Sequence, residues 1–126
     1  MSVAVETLAT RARRELVDEL AAGGVEASTD SGAFYPQPIG VLVGLPTLVG
    51  FTLGLSRSFT IPVLVVSGDP LNSDERVDAI YALADDVAGI LSTPAYRPAS
   101  YRSTANAEPL PAIELVVTVT VSPEEV

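Results

Sequence analysis

Residues 39–55, IGVLVGLPTLVGFTLGL, carry no charge, and what they become fixes the class of the whole chain. A membrane-spanning helix needs about 20 mostly apolar residues, with roughly 17 as the floor, so this stretch only reaches the minimum. Pro46 sits near its middle, and glycines occupy positions 40, 44, 50 and 54. A proline inside a helix removes a donor and collides with the preceding turn, at a cost on the order of 3 kcal/mol. Interfacial anchors are poor as well: tryptophan is absent, and the nearest upstream basic residue is Arg14. The two G-x-x-x-G spacings indicate helix dimerisation only inside a genuine span. The runs IGVLV and TLVGFTL, separated by GLP, read instead as strand, turn, strand.

The remainder of the chain supports a single domain over residues 1–126. Hydrophobic residues make up 48% and charged residues only 18%, a balance that suits a protein covering part of its surface with copies of itself or with partners. The formal net charge is −9 and lysine is absent. Binding to nucleic acid by phosphate neutralisation is therefore not expected, because that affinity comes from Lys and Arg displacing counterions. The N-terminus shows no apolar stretch of the length a secretory signal requires.

The missing residue types limit the chemistry further. Without His or Cys, one chain cannot build a Ser-His-Asp or Cys-His arrangement or the usual structural zinc sites. Without Lys it has neither a Walker A loop nor a Schiff base. Carboxylate, Tyr, Ser, Thr and Arg remain. The acids from Asp69 to Asp78 are the best candidate for metal or acid–base work, but DPLNSDERVD lacks the alternating carboxylates and the sixth-position glycine of an EF-hand loop. Helix capping and a solvated face explain them more simply. GLSRS, residues 54–58, lacks the closing glycine of a nucleophile elbow and reads as a turn. No catalytic residue, metal ligand or cofactor site is expected.

Periodicity supplies the elements. Residues 3–22 read as a helix with Val5, Leu8, Ala9, Ala12, Leu16 and Leu20 on one stripe, stopped by Gly23 and Gly24. Arg11, Arg13 and Arg14 are either a docking patch or a solvated face balanced by Glu15, Asp18 and Glu19. Residues 25–38 form a loop with a short strand at its start. Within it, Phe34 and Tyr35 either contact a partner or pin the loop to the core. A further strand, SFTIPVLVV, covers 58–66, where Pro62 marks an edge or a bulge. The second helix has Asn72 as N-cap and Glu75 three residues on, a capping-box pattern. Its stripe is Val77, Ile80, Tyr81, Ala84, Val87, Ala88 and Leu91. A strand near SYRST follows. The last strand, AIELVVTVTV, directs Ile113, Leu115, Val117, Val119 and Val121 to one side and Glu114, Thr118 and Thr120 to the other. The order α-β-β-β-α-β-β predicts an α+β domain, with two helices on one face of a mainly antiparallel four- to five-stranded sheet.

This layout resembles the tail terminator (tail completion) proteins of long-tailed bacteriophages. The features that carry the resemblance are the N-terminal helix, the Pro-rich lead YPQPIGVLVGLP, the strand with IPVLVV, the acid-flanked helix DERVDAIYALADDVAGIL and the final strand LPAIELVVTVTV. The resemblance implies a structural role in the virion, at the head–tail junction, after assembly in the host cytoplasm. Such a protein closes a homo-hexameric ring on the tail tube protein, stops further polymerisation and meets the head-side connector or neck protein. Genomic DNA passes through without specific binding, and no membrane is involved. Residues 40–57 would then be a strand pair covered by a neighbouring subunit, with Val41, Val43, Leu48, Phe51, Leu53 and Arg57 as interface candidates. Alternatives are a neck or head-completion protein of the same particle, or a membrane-active phage protein if residues 39–55 were helical. Expressed without detergent, the chain should stay in the supernatant on ultracentrifugation; firm partition into the membrane pellet, reversed only by detergent, would overturn the strand reading.

Overall fold

A computed structural model of the chain describes residues 7–30, 34, 36, 39–51, 56–93, 96–102 and 109–122, with the backbone alone at Phe51. Helix α1 runs Leu8–Ala22 and begins later than its apolar stripe suggests, since Thr7 is extended and serves as the cap. The Thr7 hydroxyl accepts the Thr10 N–H at 3.2 Å, which satisfies one of the open donors of the first turn. Val5 lies outside the described residues. The helix ends as the glycine pair predicts. Gly24 takes φ +93°, the Val25 N–H reaches the Leu20 carbonyl at 2.8 Å and the Gly24 N–H reaches that of Ala21 at 3.0 Å. This is a Schellman closure, and Leu20 and Val25 meet in the core beside it.

Helix α2, Asp74–Leu91, is capped by Ser73 rather than Asn72: the Ser73 hydroxyl accepts the Arg76 N–H at 3.3 Å. The Asn72–Glu75 capping box is therefore not the cap. Asn and Ser cap equally well, and the cap falls to whichever is the last extended residue before the helix. Asn72 instead accepts from the Arg76 guanidinium at 3.1 Å. At the far end Ser92 occupies the left-handed region at φ 54°, with the Thr93 N–H on the Ala88 carbonyl at 3.0 Å.

The strands are β1 (Ala27–Ser28), β2 (Ile39–Val43), β3 (Thr47–Phe51), β4 (Arg57–Ser67), β5 (Arg97–Tyr101) and β6 (Leu110–Val121). They form one six-stranded mixed sheet in the order β1-β2-β4-β6-β5, with β3 also on β4. Only β1 and β2 run parallel. The α+β class holds, with more strands than the sequence pattern separates.

The GLP segment is not a hairpin turn. Both β2 and β3 pair antiparallel with β4, so they run in the same direction, end to end along one side of it. Val43 faces Val63 and Thr47 faces Thr60, so residues 44–46 stand opposite only 61 and 62. Pro62 is the cause. Its carbonyl accepts the Gly44 N–H at 2.7 Å, but it has no N–H to return. A Cβ on Gly44 would lie 2.6 Å from the Pro62 ring. The neighbouring strand therefore breaks opposite Pro62, as a bulge does, and only glycine fits there. Pro62 lies in a strand flanked on both sides, which removes the edge alternative. A second irregularity falls between Leu48 and Gly50.

Both helices pack on one face of the sheet. Leu16, Leu20, Ile80 and Val87 meet Val43, Ile61, Val63, Val65 and Leu115, all 0–1% exposed. Ile113, Leu115, Val117 and Val121 of β6 are buried on this side, and Glu114, Thr118 and Thr120 take the other, as alternation predicts. Tyr81, expected in the helical stripe, is exposed at its margin, where its ring meets that of Tyr96 at a tilt of 49° with centroids 5.9 Å apart. A smaller cluster of Phe34, Leu42, Val66, Tyr101 and Ala112 occupies the opposite face.

Two measurements check this packing. Ile80→Ala should lower the unfolding free energy by about 2–5 kcal/mol through the cavity it leaves, and an unchanged denaturation midpoint would show that α2 does not pack as described. Ser92→Gly should raise stability by about 1 kcal/mol by relieving the left-handed side chain; a loss on chemical denaturation would contradict that cap.

Candidate interaction surface

The acidic segment at the start of α2 opens onto a cleft of about 520 Å³ between Ile39, Ser67 and the first turn of the helix. Several of its polar groups bond to one another. Buried Ser67 donates to the Asp69 carbonyl at 2.7 Å and accepts the Asp69 N–H at 3.3 Å, so its hydroxyl closes the turn. Arg76 donates to the Pro70 carbonyl and to Asn72. Asp69, Asp74, Glu75 and Asp78 are exposed. Among the described residues no group of acids is arranged to hold a metal ion. The cleft brings together no nucleophile and base in hydrogen-bond contact, the geometry that covalent catalysis needs.

Two residues at the start of β5 have specific partners. The Tyr96 hydroxyl donates to Asp85 at 2.7 Å, and that bond, ahead of desolvation and nearby charge, holds its pKa above the ordinary tyrosine value. The phenol stays protonated at neutral pH and is not a base there. Arg97 donates from Nε to Glu114 at 2.7 Å across β5 and β6, on the sheet face away from the helices.

The arginines of α1 turn inward in part, which corrects both a docking patch and a plain solvated face. Arg11 donates to the Ser122 carbonyl just past β6. Arg13 donates to the Val43 carbonyl from Nη2 at 2.7 Å and from Nε at 3.2 Å, and also to that of Thr29. Partial burial lowers the Arg13 pKa, and Asp30 opposes that shift. Arg14 is exposed.

The interface candidates separate into four groups. Val41 and Val43 are 3% and 0% exposed in the chain's own core, so they offer nothing to a neighbour. The two face the helices because they alternate with Leu42, which the sequence could not assign to a side without knowing the cover on each. Leu48 is exposed, as expected, at 51%. Arg57 is half-buried at the start of β4 and donates to the Ser56 carbonyl, so Arg57 and Ser58 begin a strand where GLSRS suggested a turn. Leu53 and the Phe51 side chain lie outside the described residues, as does Tyr35. Phe34 is buried and meets Tyr101 edge-on, with centroids 5.5 Å apart. A Cβ on Gly40 would lie 2.8 Å from its ring, so Gly40 makes the room that lets Phe34 pin the loop.

Sequence reasoning did not single out Leu45 and Val49, 74% and 56% exposed, the first just before β3 and the second within it next to Leu48. It also missed Val116, half-exposed between Glu114 and Thr118. The alternation of β6 could have found Val116. Leu45 and Val49 could not be found that way, because both sit at irregularities where alternation fails. Among the described residues no helix is long and apolar enough to cross a membrane, and residues 39–43 and 47–51 are strand, against the helical span that a membrane-active protein would need there. No protein-family model matches the sequence, and no curated protein matches it.

Proposed function

We propose that the chain is a structural virion protein of the tail terminator type. In this reading it caps the tail tube as a hexameric ring, stops tail polymerisation and joins the tail to the head-side connector. The observation that carries the reading is the exposure of Leu45, Leu48 and Val49 on and just before the edge strand β3, within a run free of charge from residue 31 to residue 56. The two-helix, one-face α+β layout that the resemblance implies is consistent with it. The role in this reading is structural and not enzymatic: in the cleft beside α2, Ser67 and Arg76 are engaged in hydrogen bonds with the turn that leads into the helix.

Charge decides how such a ring would hold. Six copies at −9 each carry 6 × −9 = −54, so the subunits repel one another and attraction must come from the uncharged strip. An acidic ring also suits a conduit for DNA, since a basic lumen would hold the phosphates. Salt screens the repulsion over about 10 Å at 0.1 M and leaves apolar contact intact. Sedimentation velocity should show association strengthening as ionic strength rises from very low values, with closed rings in negative stain. Leu48→Asp should abolish the rings while leaving the monomer folded. Rings that dissociate on adding salt would place the interface on charged groups and overturn the reading.

A further inference from the structure

The two long sides of the sheet are not guarded alike, and the difference centres on Arg13. The β2–β3 side of β4 is an edge except where β1 covers it, and β1 supplies only two pairs, Ala27 with Val41 and Ser28 with Leu42. The next position would set Thr29 beside Val43. The guanidinium of Arg13 stands there instead, receiving the carbonyls of both residues. Two carbonyls cannot pair with each other, and a cationic donor from the helix side joins them. The Gly44 N–H points at β4, so by alternation the Val41 and Val43 backbone groups face β1 and Arg13. The segment is otherwise shallow: Glu26, Ser28, Thr29 and Asp30 are exposed, Ala27 is half-buried against the core, and the Asp30 carboxylate acts on the same guanidinium.

We infer that residues 26–30 are a strap over the edge of β2, latched by Arg13, that opens as a unit without unfolding of the domain. Segments with few buried apolar contacts open at free energies below the global value, and exposed strand edges are managed in native proteins by short covers and charge. With the strap closed, β3 is the stretch of this edge left open among the described residues. With it open, the edge extends back through Ile39–Val43. The strap thus sets how much strand edge the domain offers for pairing. This inference stands whether or not the chain forms a ring.

Amide hydrogen exchange followed by NMR tests it, on the wild type, Arg13→Ala and Arg13→Lys at one pH and temperature. Losing charge-assisted bonds to the two carbonyls should speed exchange at Val41 and Val43 by about tenfold or more in Arg13→Ala. Exchange at Val63, Val65 and Leu115 should be unchanged. Arg13→Lys, whose ammonium keeps the charge without the planar fork, should fall between. If Arg13→Ala does not fold, Arg13→Lys alone decides, by faster exchange confined to Val41 and Val43. Unchanged rates at those two residues, or one uniform acceleration reaching β4 and β6, would overturn the strap.

Discussion

A proline in the middle of the central strand is the constraint around which this sheet is arranged. β4 pairs with β2 and β3 on one side and with β6 on the other, and both helices pack across it. Its Pro62 takes a ladder position next to Gly44 with no N–H to give. On the β6 side the register runs unbroken from Arg57–Val121 to Val66–Ala112, because the missing donor points the other way. All of the disruption is therefore placed on the β2–β3 side. There the partner strand steps around the ring at Gly44, and the chain emerges at Leu45 and Leu48 with apolar side chains in solvent.

That asymmetry distinguishes the two sides of β4. On one side β6 pairs with it without a break, and β5 covers β6 from Leu110 to Glu114, with Arg97 and Glu114 joined across them. On the other side β2 is covered by the short β1 and by Arg13, and β3 is bare on its outer side among the described residues. Charge is unevenly spread as well: eight of the sixteen acids lie on the two helices, and residues 31–56 carry none. A chain of net charge −9 can meet a like-charged copy most cheaply through the part of its surface that carries no charge. That physical argument is what the proposed assembly role rests on.

Much of the architecture was legible in the sequence because it rests on local rules. The Ile80, Ala84, Val87 and Leu91 stripe, the glycine stop at 23 and 24 and the two-sided pattern of β6 all depend on neighbours within a few residues. What escaped depended on distant partners. Pro62 announced a bulge, but the bulge appears in another strand, 18 residues earlier at Gly44. Val41 and Val43 looked equivalent to Leu48 as greasy strand residues, and only the helices that cover one side of the sheet separate them. Arg13 looked like a surface charge, because nothing near it in sequence shows that two carbonyls need a donor.

The sequence by itself determined that residues 39–43 and 47–51 are strand rather than helix, since glycine and Pro46 deny the stretch a stable helix. It also determined that the chemistry of His, Cys and Lys is absent, and that two amphipathic helices must share one apolar sheet face. Tertiary structure alone decided where the uncharged stretch breaks, which of its residues enter the core and which stay in solvent. The reason is that a strand, unlike a helix, has no hydrogen bonds of its own. Its register, its edges and its exposed side are set by whatever strand, ring or guanidinium lies beside it.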